Sequence, residues 1–248
     1  MASFRHATLA LILGGCDLVV GIDTDPSPCQ LGSFAEATPV DIIEAEAFSA
    51  DWDMRFAVVM SLGSSYELDL QTKALTPIDL GPYNNVGLAL TPEGNALFYT
   101  TNTEPLVLKG ALRGESWLLD ATVPRATFAG TPSADVFGPR RLLVRERAEN
   151  DLITEYEDVA GRWTPVGEPH AVAASLVPDL TPNGLTMVFA GTDADGNPAV
   201  MAAQRGSTSE WFGEPTVLLP GAFVSAQLLG DCKRLYTSDG SMLRQYDR

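Results

Sequence analysis

Histidine and cysteine are scarce, with two of the first and three of the second in 248 residues. His170 is the only histidine beyond position 6, and the cysteines stand far apart at 16, 29 and 232, which argues against a zinc ligand set. No phosphate-binding or dinucleotide glycine pattern is present. No Gly-x-Ser-x-Gly elbow accompanies His170, which leaves a Ser-His-Asp hydrolase without its nucleophile and reads His170 as a structural or surface residue. Positive charge is also thin, with 16 Lys plus Arg against 32 Asp plus Glu and a net charge of −16. Such a chain repels polyanions, which argues against nucleic acid as a partner. No run approaches the ~20 apolar residues that a membrane-spanning helix needs, and no long helical periodicity is visible. Glycine (22) and proline (17) are plentiful. With 45% hydrophobic and 19% charged residues, the composition is that of a turn-rich, globular all-β protein.

The first residues read as an address. Arg5 precedes a seven-residue apolar run, Ala7 to Leu13, which suits a signal-peptide core and is too short to span a bilayer. The run ends in Leu13-Gly14-Gly15-Cys16, which resembles the bacterial lipobox. The resemblance implies that Cys16 is acylated and becomes the mature N-terminus, anchored by its acyl chains. A protein secreted without lipid and a cytosolic chain with an apolar start are the competing readings. Asp17 resembles an inner-membrane retention signal, but that rule differs between lineages and fixes no leaflet. In an oxidising compartment, Cys29 and Cys232 then form an even pair and read as one disulfide, the alternative being two buried thiols.

The rest of the chain is repetitive. Leu90-Thr91-Pro92-Glu93-Gly94 returns as Leu180-Thr181-Pro182-Asn183-Gly184, and a β-rich run follows each, Ala96 to Thr100 and Thr186 to Ala190. Thr-Pro-x-Gly suits a tight turn between two strands. Related runs occur at Phe56–Val59, Arg141–Arg145 and Arg234–Thr237, with Val144, Phe189 and Tyr236 aligned on Tyr99, which makes five copies near a period of 45 residues. Each copy is followed by a third β run, and aromatics at Trp117, Trp163 and Trp211 mark a fourth. Their near-constant spacing suits blade packing better than a ligand-stacking set. Four short strands in 40–45 residues make one blade of a β-propeller. The last copy stops after its third strand, and residues 33–40 resemble the missing fourth, Trp211 to Val217. The N-terminal strand is therefore expected to complete the last blade and remove an open edge. Cys232 then falls in the turn between the first and second strands of that blade, on the same face as Cys29, although the two lie about three strand spacings apart.

The segments Leu180 to Phe189, Asp193 to Asn197 and Trp211 to Pro215, with Arg205 closing the third strand, resemble the WD-like repeats of TolB-type propellers and of exported propeller proteins of bacteria such as myxobacteria. The likeness covers about residues 30–248. It implies a rigid extracytoplasmic platform with protein partners in the envelope. TolB-type propellers usually have six blades.

The expected architecture is all-β: a β-propeller of about five four-stranded blades, six being possible. Residues 1–15 are a lipoprotein signal peptide, 16–31 the lipidated N-terminus and tether, and 32–248 the propeller. Asp193, Asp195 and Asn197 alternate as in a calcium loop, but position 204 is Gln204 rather than a bidentate Glu, and Asp-Gly-Asn equally suits a hairpin, the reading we favour. The strands expected to face the channel, near Val86–Leu90, Val177–Leu180 and Val224–Leu228, contribute few polar groups, among them Asp179 and Gln227. The reading is a monomeric, lipid-anchored scaffold without catalysis or cofactor that binds a protein or envelope component. The alternative is a hydrolase or lyase with a channel site, calcium-dependent or not. A decayed paralogue with little binding role is a third reading.

Overall fold

The structure is a computed structural model that describes residues 28–35, 37–40, 47–51, 55–61, 64–80, 85–90, 94, 96–101, 106–114, 117–119, 126–128, 130–137, 141–146, 152–172, 178–181 and 183–248. After β1 (Thr38–Val40), the first sheet runs β2 (Ala47–Ala50), β3 (Phe56–Ser61), β4 (Ser64–Asp69) and β5 (Leu75–Ile78). The second holds β6 (Asn85–Leu90), β7 (Ala96–Thr101) and β8 (Leu106–Arg113), with β9 (Trp117–Leu119) and β10 (Ala126–Phe128) sharing the outer edge of β8. The third holds β11 (Gly130–Phe137), β12 (Arg141–Glu146) and β13 (Leu152–Val159), edged by β14 (Arg162–Pro165) and β15 (His170–Ala171). The fourth is β16 (Asp179–Leu180), β17 (Thr186–Thr192), β18 (Pro198–Gln204) and β19 (Thr216–Pro220). The fifth is β20 (Ser225–Leu228), β21 (Arg234–Ser238) and β22 (Leu243–Asp247), with β1 as its outermost strand. These are the five sheets among the described residues, and every pairing in them is antiparallel.

The innermost strands touch in a closed cycle: β2 meets β6, β6 meets β11, β11 meets β16, β16 meets β20, and β20 returns to β2. That cycle is a β-propeller. It explains why strands such as β3, β17 and β18 read as nearly unbroken apolar runs rather than alternating ones. A blade inside a ring is covered on both faces, so both sets of side chains must be apolar. On β17, Met187 and Phe189 pack with Leu143 and Ile153 of the third sheet. Val188, between them, packs with Leu235 of the fifth. On β3, Phe56, Val58 and Met60 face Leu88 and Leu90 of the second sheet, while Ala57 and Val59 face Tyr236 and Leu243 of the fifth.

The ring is shut by the two ends of the described chain. β1 pairs with β22 in the register Thr38↔Gln245, Pro39↔Arg244 and Val40↔Leu243. The strand is shorter than the sequence suggested. Among the described residues the ladder begins at Thr38, although the Ala35 amide still donates to the Asp247 carbonyl at 2.7 Å. The outermost strands of four sheets carry Pro39, Pro77, Pro165 and Pro220. A proline offers no N–H to a passing strand, which protects an exposed edge.

Two expected alignments shift. Trp211 precedes the fourth strand of its sheet, which is β19, five residues further on. Tyr236 aligns with Val188 rather than with Phe189. The bonds Thr181 N to Thr186 O and Leu229 N to Arg234 O fix the two turns in the same register, which places Tyr236 one step earlier. Aromatic likeness had drawn the two rings together, whereas the turn sets the register.

Candidate functional site

The turns joining first to second strands share one chemistry. In the fourth sheet the Gly184 amide donates to the Thr181 carbonyl at 2.7 Å, and Gly184 has φ +68°. The Thr181 hydroxyl accepts from the Thr186 amide at 3.1 Å. In the first sheet Asp51, fully buried, plays that part by accepting from the Phe56 amide at 3.1 Å and from Arg55 Nε at 2.8 Å. In the fifth sheet the Cys232 amide donates to the Leu229 carbonyl at 2.9 Å. Cys232 therefore occupies the place of Gly184, with φ +57°, in a region that a residue bearing a Cβ enters at a cost.

Cys232 is joined to Cys29, with the Cα atoms 5.5 Å apart and a sequence separation of 203. The lateral gap inferred from the sequence is crossed because Cys29 does not lie over the outer strand. It sits inward, against the fourth sheet. Its amide donates to Thr186 Oγ1 at 3.1 Å, and its carbonyl accepts from Gln204 Nε2 at 2.5 Å. Cys29, Leu31 and Phe34 fill the joint between the fourth and fifth sheets, packing with Val188, Val200, Ala202, Leu235 and Tyr246. The Arg248 guanidinium donates to the Gln30 carbonyl and, at 3.4 Å, to that of Cys232.

Other joints are bolted by arginine. Arg113, at the end of β8, reaches Glu67 on β4 of the preceding sheet, with Nε to Oε2 at 3.1 Å. Trp117 Nε1 donates to the same carboxylate oxygen at 2.8 Å, and the guanidinium lies 3.6 Å from the Phe56 ring centroid. Arg205, just after β18, repeats the device at the joint between the third and fourth sheets. Its Nη1 meets Glu155 Oε2 at 2.9 Å, its Nε donates to the Gly184 carbonyl at 2.6 Å, and it sits over the Phe212 ring. Glu155 Oε1 also accepts from Arg141 Nη1 at 2.8 Å, so two guanidinium groups share one buried carboxylate. Residue 205 had stood out in the sequence as a repeat position. Glu67, Glu155 and Arg113 had not.

Several of the remaining candidates are bonded within the scaffold. Asp193 Oδ1 accepts from the amides of Asp195 at 2.9 Å and Asn197 at 2.8 Å, and Asn197 Nδ2 donates to Oδ2 at 3.1 Å. These donors, Asn197 first, hold the Asp193 carboxyl below the usual range. The loop has the bonding of a hairpin turn, and among the described residues no three His, Cys, Asp or Glu side chains gather to hold a metal. On the inner strands, Ser49 Oγ accepts from the Leu90 amide at 2.9 Å, and Gln227 Oε1 accepts from the Ala50 amide at 3.0 Å. Both bonds run from one sheet to the next, so these channel-side polar groups hold the ring. Asp179 lies on β16. His170 stacks on Trp211 at 3.8 Å with 7° between the planes, linking the third and fourth sheets. Trp117 and Trp163 are buried. Cys16 lies outside the described residues.

No family model matches this chain, and no curated protein matches it. Solved structures do. TolB from Acinetobacter baumannii aligns with a TM-score of 0.52 at 12% identity over 82% of this chain and 54% of that one. A TolB protein from Agrobacterium tumefaciens aligns with a TM-score of 0.50 at 14% identity over 77% of this chain and 68% of that one. The chain thus spans about half the length of the Acinetobacter protein. The shared feature is the fold, a β-propeller like that of the two TolB structures.

Proposed function

We propose that this chain is a lipid-anchored, extracytoplasmic β-propeller that binds a protein or cell-envelope partner and performs no chemistry of its own. The observation that carries this reading is the Cys29–Cys232 bond, which closes the ring thirteen positions after Cys16. A disulfide of this kind persists in an oxidising compartment, and Leu13-Gly14-Gly15-Cys16 supplies the export and acylation signal. The way the polar groups are used supports binding rather than catalysis. Ser49, Gln227, Glu155 and Arg205 are all engaged in joining one sheet to the next. A ring fixed in this way is a stiff platform, and the loops at its two rims are free to vary in contact chemistry. The net charge of −16 favours a basic partner surface.

The test is fractionation followed by cross-linking in a bacterial host. The native chain is expected in the membrane fraction with an acylated N-terminal Cys16. The Cys16→Ser variant should be released from the membrane, and cross-linking of the anchored form should yield a discrete protein adduct. Membrane retention of Cys16→Ser would contradict the anchor. Turnover of glycoside, ester or phosphoester substrates by the purified chain would contradict the scaffold.

A further inference from the structure

We infer that the Cys29–Cys232 bond is a reducible latch: its reduction frees the segment Pro28–Val40 and opens the edge of β22 to another extended strand, while the rest of the ring stays folded. The inference reaches beyond the proposed binding role and does not depend on the lipid anchor.

Three observations converge on this joint. The first is what the joint lacks. The equivalent bonds Asp51 N to Phe56 O and Thr181 N to Thr186 O align β3 with β17. The pairings Val58↔Glu67 and Val188↔Ala202 then place Ala202 where Glu67 stands. Arg248 likewise stands where Arg205 does, since their amides donate to the matching carbonyls of Lys233 and Leu185. The fifth sheet therefore brings an arginine to a fourth sheet that has Ala202, not a carboxylate, at the position of Glu67. Arg248 bonds the backbone of the N-terminal segment instead, at Gln30.

The second observation is how the segment is held. Its ladder with β22 is three residues long, with Pro39 in the middle. Apart from that ladder it is fixed by the bonds at Cys29, Gln30 and Ala35, by the apolar contacts of Leu31 and Phe34, and by the disulfide. The third is the turn itself. Cys232 adopts φ +57° where the repeat uses Gly184 and Gly94 at +68° and +69°. The position suits glycine, and what the cysteine adds there is the bond to Cys29. Cys29 is buried, but Cys232 is partly exposed at the turn, so a reductant meets the Cys232 sulfur first.

The reductant is a dithiol. One of its thiolates attacks Cys232 Sγ, and the Cys29–Cys232 bond breaks. Cys29 leaves as a thiolate and takes a proton, and a mixed disulfide remains on Cys232. The second thiol of the reductant resolves it, releasing a cyclic disulfide and the Cys232 thiol. Two electrons pass to the protein, and two protein thiols result. Freed β22 then presents unpaired backbone groups, the template that a strand-adding partner uses.

Hydrogen exchange of the full chain, with and without dithiothreitol, tests this. Reduction is expected to speed exchange in peptides covering 28–40 and 243–247 at least tenfold more than in β12, Arg141–Glu146. The double variant Cys29→Ser, Cys232→Gly restores a turn glycine. It should show the reduced pattern without reductant and should not respond to it. A synthetic strand with the sequence of residues 32–40 should bind the double variant and not the oxidised native chain. Unchanged protection of 243–247 after reduction would overturn the inference, and so would a double variant that cannot fold or equal loss of protection in β12.

Discussion

Arg205 Nη1 lies 2.9 Å from Glu155 Oε2 across the joint between the third and fourth sheets, with the two side chains 1% and 4% exposed. The pair at Glu67 and Arg113 has the same role between the first and second sheets but is far more open, at 22% and 37%. Burial decides what each is worth. Removing one member of a buried pair leaves a desolvated charge and costs about 3–5 kcal/mol, while an exposed pair contributes about 0–1 kcal/mol. Glu155→Ala also takes one carboxylate partner from Arg141, which keeps the Thr208 carbonyl. Urea unfolding should show Glu155→Ala destabilised by about 3–5 kcal/mol and Glu67→Ala by about 1 kcal/mol plus the loss of the Trp117 bond. Equal costs would mean that the buried pair is no more important than the surface one.

Gly94 and Gly161 share a left-handed backbone but not a neighbourhood. Gly94 has φ +69°, and a Cβ there would come within 2.7 Å of Phe56 Cζ and 2.9 Å of Asp51 Cβ. Gly161 has φ +81° and open space around it. Gly161→Ala should cost about 1 kcal/mol for the backbone alone. Gly94→Ala adds overpacking against the fully buried Asp51 and should cost about 2–4 kcal/mol. Thermal melts of the two variants check the difference, and similar losses would contradict the contact.

Burial pushes the Tyr236 hydroxyl up to about 12 from its ordinary value of 10.0. The ring stacks on Phe48, with centroids 5.4 Å apart, and the O–H donates to Gln245 Oε1. Because the folded-state value is raised, the contribution is complete below the unfolded value near 10 and is lost as pH rises towards 12. The stability of the native chain relative to Tyr236→Phe should therefore hold from pH 7 to 9.5 and fall between pH 10 and 12. Urea unfolding at pH 8 and pH 11 measures it. A pH-independent difference would mean that Tyr236 ionises like a solvated phenol.

The propeller was legible because its two strongest constraints are local. Burial on both blade faces writes continuous apolar runs such as Phe56–Met60 and Met187–Ala190, and the turn needs a left-handed fourth residue, which appears as Gly94 and Gly184. Closure by residues 38–40 was legible too, since the last copy lacked a strand that the N-terminus resembled. The joints were not. Glu67 and Arg113 lie 46 positions apart, and Glu155 and Arg205 lie 50 apart, each pair on neighbouring sheets. Which sheet faces which charge is a property of the closed ring, not of any one repeat. The inward seat of Cys29 was hidden for the same reason. It depends on Thr186 and Gln204, more than 150 positions away.

Ring closure by the N-terminal segment is tested most directly by peptide mapping of the native chain, purified without reductant and with free thiols alkylated. One disulfide-linked peptide pair is expected, joining Cys29 to Cys232, with Cys16 outside it. Alkylated Cys29 and Cys232, or a bond from either to Cys16, would contradict the closed ring described above.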